Sequence, residues 1–297
     1  MQITLDDLVF DVTVDGPPDG EPVLLLHGFP HNKESWTETA PLLHAAGLRT
    51  IAPDQRGYSP GARPAGTDAY RLPHLAADAL GILDGLGVTG AHVVGHDWGA
   101  AVAWYLAAKR PDRVHTLTAL AIPHLDAYQY AYRVDEEQQR SSEYVKFLVS
   151  DGAAEHFLAD GAAQLHAWFT QAGEGVLTDA QIERYVRTHT GPGTLDAALN
   201  WYRANDLLGD PFGFGPVTVP TTFVYSRTDT AVSELAVEKT AEHVTGPYRL
   251  VTLEETSHWQ PQQDPGTIAA EIIARVRARG TSDPATTVPP ATRSGRG

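Results

Sequence analysis

An aspartate stands at the centre of a glycine-bounded pentapeptide, Gly95-His96-Asp97-Trp98-Gly99. The apolar run Ala91-His92-Val93-Val94 leads into it, and an Ala-rich stretch from Gly99 to Lys109 leads out, stopping before Pro111. A strand that turns this sharply into a helix forces its central residue into a strained conformation and presses neighbouring backbones together, which calls for glycine on both sides. A carboxylate of reference pKa near 3.9 is ionised at pH 7 and attacks carbon without a base, whereas a serine would first need deprotonation. Asp229 follows a second apolar run, Thr222-Phe223-Val224-Tyr225, and His258 comes 29 residues later in Thr256-Ser257-His258-Trp259. A histidine oriented by a carboxylate can take a proton from water and make it a nucleophile. A G-x-D-x-G pattern arises by chance on the order of 0.1 times in such a chain at average glycine usage, so the surrounding elements must decide its meaning.

Those elements alternate. Val23-Leu24-Leu25-Leu26, Thr50-Ile51-Ala52, Ala91 to Val94, Leu117 to Ala121, Thr222 to Tyr225 and Leu250-Val251 are short apolar runs, most of them bounded by Gly or Pro. They read as buried strands. Between them, apolar residues at Leu72, Leu75, Ala76, Ala79, Leu80 and Leu83 fall on one helical face, as do Ile268, Ile272, Ile273 and Val276. The pattern predicts an α/β fold, a mostly parallel sheet flanked by helices. Two stretches end strands at the same side as the pentapeptide. His27-Gly28-Phe29-Pro30 follows the first, and Asp54-Gln55-Arg56-Gly57-Tyr58-Ser59 follows the second and reads as a structural turn with a salt-bridging arginine. From Pro123 to Pro216 no strand is evident, and aromatic residues recur at helical spacing. This predicts a helical insertion, residues 124–215, over a core formed by residues 1–123 and 216–280. Residues 281–297, rich in Pro, Thr, Ser, Gly and Arg, read as a disordered tail.

Composition excludes several classes. With 22 Lys+Arg against 37 Asp+Glu the formal charge is −15, so the chain repels phosphate backbones and a nucleic-acid partner is not expected. Zero cysteines exclude thiolate metal sites, disulfides and a cysteine nucleophile, and fit a reducing, cytoplasmic setting. The first twenty residues carry five aspartates and no basic, then apolar, succession, so no secretory signal is expected. No apolar stretch approaches the roughly 20 residues of a membrane span. His92 and His96 are four apart, but on a strand and its exit turn they do not share a face as a helical zinc pair would.

Taken together these motifs resemble the α/β-hydrolase superfamily, in its epoxide hydrolase branch with an aspartate nucleophile and a helical cap. The resemblance covers about residues 8 to 280. It implies Asp97 as nucleophile, Asp229 and His258 as the acid and base of the triad, and backbone N–H groups of Phe29 and Trp98 as the oxyanion hole. It further implies two cap tyrosines that protonate the opening ring. Asn200-Trp201-Tyr202-Arg203 is similar to the segment carrying one, and Glu143-Tyr144 lies where the other is expected; Tyr128, Tyr130, Tyr132 and Tyr185 compete for these roles. Asp126, after the central strand, is the rival for the acid. The implied reaction takes a small hydrophobic epoxide and water to a vicinal diol with no cofactor or metal, and a homo-oligomer is compatible with the sequence. Within the same fold, haloalkane and haloacetate dehalogenases also use an aspartate elbow. The former usually carry an Asn in the oxyanion loop or a cap Trp for halide, the latter an Arg after the nucleophile; here these places hold Phe29 and Trp98. A binding protein on the same fold would have no need of all three triad residues.

Overall fold

The computed structural model describes residues 1–173 and 175–280; the stretch 281–297 lies outside the described residues. In chain order the elements are β1 Gln2–Leu5, β2 Leu8–Asp15, β3 Glu21–Leu26, α1 Ala40–Ala45, β4 Leu48–Pro53, α2 Leu72–Gly85, β5 Ala91–His96, α3 Trp98–Lys109 and β6 Val114–Leu120. Then come α4 Leu125–Val134, α5 Glu136–Ser141, α6 Glu143–Leu148, α7 Ala153–Ala172, α8 Asp179–His189 and α9 Thr194–Ala204. The chain closes with β7 Thr221–Ser226, α10 Glu234–Thr240, β8 Tyr248–Leu253, α11 Gln260–Gln263 and α12 Pro265–Arg277. The eight strands form one sheet in the order β1-β2-β4-β3-β5-β6-β7-β8. Strands β3 to β8 are mutually parallel, and β1 and β2 add an antiparallel edge.

Five of the six apolar runs lie within parallel strands, and the run Leu117 to Ala121 passes one residue beyond β6. In β3 to β7 that continuity follows from burial on both faces, whereas β8 is the outer edge strand and leaves Leu250 exposed. Leu24 and Leu26 point into one apolar cluster with Val93, Leu117 and Phe223 under α2 and α3, while Val23 and Leu25 point into the other with Val94, Leu120 and Val224 under Leu43 and the α12 residues Ile268 and Ile272. The strands β1 and β2 escape a search for apolar runs. They sit at the edge, alternate between buried and open positions, and carry Asp11 and Asp15.

The segment between β6 and β7 is helical, from α4 to α9, with no named strand among its described residues. Helix α7 is broken at Ala159–Ala162, where Asp160, Gly161 and Ala162 have positive φ. The segment shares the larger apolar cluster with the sheet, through Leu125, Val145, Phe169 and Trp201 among others. Polar ties fix it further. Trp201 Nε1 donates to the carbonyl of Arg56 at 2.8 Å, and Asn205 bridges the carbonyl of Tyr70 and the amide of Leu72.

The turn after β4 is structural, as its composition suggests. The Arg56 guanidinium makes two hydrogen bonds to Asp78 on α2, at 2.6 and 2.7 Å, and a third to the carbonyl of Ala69. Burial pushes the Asp78 carboxyl up, against the pull of Arg56. Removing one partner of such a pair leaves a buried charge uncompensated. Arg56→Ala should therefore lower stability by about 3–5 kcal/mol, read as a shift of the urea midpoint, and a loss below about 1 kcal/mol, the range of a surface pair, would show that solvent already screens it.

Candidate active site

Asp97 occupies the turn between β5 and α3 with φ 54° and ψ −125°. A non-glycine residue held there costs on the order of 1–3 kcal/mol. The turn is too tight for side chains on its flanks. A Cβ on Gly99 would lie 2.0 Å from the carbonyl oxygen of Leu26, and one on Gly95 would lie 2.2 Å from that of Gly99. Close packing also brings the β3 loop over the aspartate, and the Phe29 amide donates to Asp97 Oδ1 at 2.7 Å. Burial raises the pKa of Asp97; the charge on His258 and hydrogen bonds from the Trp98 and Phe29 amides oppose that shift.

Asp229 lies just past β7 and His258 just past β8. His258 Nδ1 is 2.8 Å from Asp229 Oδ2, and its Nε2 points to Asp97, 3.7 Å from Oδ2. The amide of Ala231 donates to the other Asp229 oxygen at 2.9 Å. Burial opposes the charge on His258, but Asp229 and Asp97 outweigh it and lift the pKa to about 9. Burial likewise works against the Asp229 carboxylate, and His258 prevails, leaving its pKa low. Asp126 is elsewhere: its carboxylate accepts from the amides of Gly213 and Phe214 at 2.9 and 3.2 Å.

His96, weighed from sequence only as half of a zinc pair with His92, lies beside the catalytic imidazole candidate His258. Its Nε2–H donates to the backbone carbonyl of His258 at 2.8 Å and so pins the loop that presents the imidazole. Burial drives its pKa down to about 3, so it stays neutral. Nothing in the spacing signals this contact, which spans 162 positions. His92 is engaged separately, by Thr116 and Glu21.

Above Asp97, Tyr144 from α6 and Tyr202 from α9 line a cavity of about 270 Å³ together with Phe29, Trp168, His258 and Trp259. Burial and the nearby Asp97 charge push both phenols well above their ordinary pKa, so both hold their protons. The Trp98 indole packs edge-on against Tyr202 at 5.1 Å, as does Phe29 at 5.5 Å. The competing tyrosines are otherwise occupied. Tyr128 shares a 2.7 Å hydrogen bond with Ser142, Tyr130 is exposed beneath Lys239, and Tyr185 accepts from Gln262 and stacks on Phe169. Tyr132 is absent from the cavity lining.

The raised pKa of His258 has a consequence for stability. The native state holds this proton more tightly than the unfolded chain, where the pKa is about 6.5. The contribution is complete below about pH 6.5 and is lost as pH rises through about 9. Urea midpoints of the native chain should fall across that window, and His258→Gln should remove this component; an identical slope in the two proteins would dismiss it.

Comparison with known proteins agrees with the architecture. Residues 21–265 match the family described as alpha/beta hydrolase fold. The chain is 31% identical to the AB hydrolase superfamily protein YfhM of Bacillus subtilis, over 91% of this chain and 95% of that protein. It is 30% identical to epoxide hydrolase A of Mycobacterium tuberculosis, over 87% of this chain and 91% of the relative. The crystal structure of epoxide hydrolase A from Mycobacterium thermoresistibile superposes with a TM-score of 0.79 at 27% identity, covering 93% of this chain and 97% of that one. The sheet order, the elbow after β5 and these matches lead to one assignment: the chain belongs to the α/β-hydrolase fold family.

Proposed function

We propose that this protein is an epoxide hydrolase, converting an epoxide and water to a vicinal diol through an alkyl ester on Asp97. The observation that carries the reading is one cavity onto which an elbow carboxylate, a histidine and two protonated phenols all face. Relatives named epoxide hydrolase support it. In this reading residues 124–215 form the cap and residues 1–123 and 216–280 the catalytic core. No helix among the described residues is long and apolar enough to cross a membrane.

The first half-reaction needs no base. An Asp97 oxygen attacks a ring carbon, the ring C–O bond breaks, and the departing oxygen takes a proton from Tyr144 or Tyr202. An alkoxide is more basic than a phenolate, so the transfer runs downhill even from a buried phenol. Esterification removes the negative charge of Asp97, one of the two charges that hold the proton on His258. His258 then releases its proton, which restores the phenol through solvent.

In the second half-reaction neutral Nε2 takes a proton from water, and the water oxygen attacks the Asp97 carbonyl carbon. The oxyanion rests on the amides of Phe29 and Trp98. Collapse breaks the ester C–O bond, the imidazolium protonates the leaving alkoxide, and the Asp97 acid passes its proton back to His258. Asp229 holds the ring orientation throughout. A dehalogenase would instead have to seat a halide, and here the Trp98 indole is turned against Tyr202.

Two measurements test the scheme. His258→Gln should still form the ester and fail to hydrolyse it, so intact mass should rise by one whole epoxide, mapped to Asp97. A gain of substrate minus halogen from a haloalkane, with no adduct from any epoxide, would favour the dehalogenase. Tyr202→Phe and Tyr144→Phe should each slow ester formation by about 10²–10⁴-fold, the usual loss for a general acid. An unchanged rate in either variant removes that tyrosine from the mechanism.

A further inference from the structure

Building on the epoxide hydrolase reading, we infer that the substrate is a neutral epoxide with one bulky, preferably aromatic, substituent and nothing larger than a methyl group on the other ring carbon. Asp97, Tyr144 and Tyr202 border two cavities of very unequal size. One is the chamber of about 270 Å³ already described. The other is a recess of about 20 Å³ whose remaining walls include Ala101, Ile122, Leu125 and Leu207. By the same measure a single water needs about 10–15 Å³, so the recess takes one group of that size.

The reacting ring must sit where the two cavities meet. Its oxygen has to reach the phenols, and one carbon has to come within about 3–3.5 Å of the Asp97 carboxylate. A trans-disubstituted epoxide sends its two substituents in opposite directions. One can enter the large chamber, whose walls include the aromatic rings of Phe29, Trp168, Phe169 and Trp259. The other must enter the recess, where a methyl fits and a ring does not.

The backbone that carries two of the recess walls, Leu125 and Leu207, is tied in place by hydrogen bonds of its neighbours. Leu125 opens α4 between His124, whose amide donates to Thr240, and Asp126, whose carboxylate holds the Gly213 and Phe214 amides. Leu207 follows Asp206, whose carbonyl accepts from Gln129 on the same helix α4 at 2.8 Å. Leu125, Ile122 and Leu207 are all buried in the continuous core. Charge adds a second filter. Among the described residues the large chamber is lined by no lysine or arginine, and it contains the Asp97 carboxylate. An anionic substituent would find no partner there.

The test uses the full chain with three neutral epoxides: styrene oxide, trans-β-methylstyrene oxide and trans-stilbene oxide, each scored as diol formed. The first two should turn over, and kcat/KM for trans-stilbene oxide should be lower than for styrene oxide by about 100-fold or more, the discrimination that a tight apolar pocket provides. Leu207→Ala and Leu125→Ala, confirmed folded by circular dichroism, should raise the stilbene-to-styrene ratio by about tenfold or more, as room is made in the recess. Turnover of trans-stilbene oxide by the native chain within about tenfold of styrene oxide overturns the inference, as does an unchanged ratio in folded variants. Diol from none of the three epoxides would instead remove the epoxide hydrolase reading, and this inference with it.

Discussion

The close approach of three backbone segments at the turn after β5 is the constraint on which the rest of the site depends. Strand β5, the start of α3 and the loop after β3 meet with no room for a Cβ at Gly95 or Gly99. That contact sets the backbone of Asp97 at positive φ and lets the Phe29 amide reach its carboxylate. The conformation is unfavourable in isolation. It persists because β3 and β5 pair along their length and are buried on both faces, so relaxing the turn would mean separating two central strands.

Electrostatics at the site follow from this geometry. Two buried carboxylates face one imidazole from opposite sides, Asp229 through a hydrogen bond and Asp97 at longer range. Neither carboxylate would favour its charge so far from water without the imidazolium between them. The arrangement is asymmetric. Asp229 is held low and keeps its hydrogen bond, whereas burial raises Asp97 against the support of two amides and His258. In the proposed mechanism that asymmetry matters, because only Asp97 loses its charge during the reaction, and the basicity of His258 falls when it does.

The helical segment is tied to the core at the places that matter for the cavity. Besides the bond from Trp201 to Arg56, His189 on α8 meets the Pro30 carbonyl in the β3 loop, and Trp259 beside the imidazole donates to Ala172 at the end of α7. Each tie joins the segment to a loop that carries or borders a site residue. The cavity is therefore bounded by the sheet's loops below and by α6, α7 and α9 above, with its shape set by both.

Much of the fold was legible in the residues. Strands β3 to β7 show as continuous apolar runs because burial on both faces leaves them no polar alternation, the edge strand β8 shows only as the short run Leu250-Val251, and the elbow is visible because tight packing there demands glycine at fixed places. The antiparallel edge was not visible as apolar runs, since β1 and β2 keep one side open and β2 mixes Asp11 and Asp15 among its apolar residues. The glycine-bounded elbow, the chain order and the family resemblance made Asp97, Asp229 and His258 candidates and left Asp126 as a rival to Asp229. Only the tertiary structure separated them, by placing Asp229 on the imidazole and Asp126 on the chain returning to β7. Tyr144 and Tyr202 were named from the family resemblance with four other tyrosines in competition, and the structure puts these two beside Asp97; the contact of His96 beneath His258 and the unequal cavities were closed to sequence. A local pattern records what each residue requires of its neighbours along the chain, whereas these contacts join residues dozens to more than a hundred positions apart, and the packing of helices on the sheet decides which of them meet.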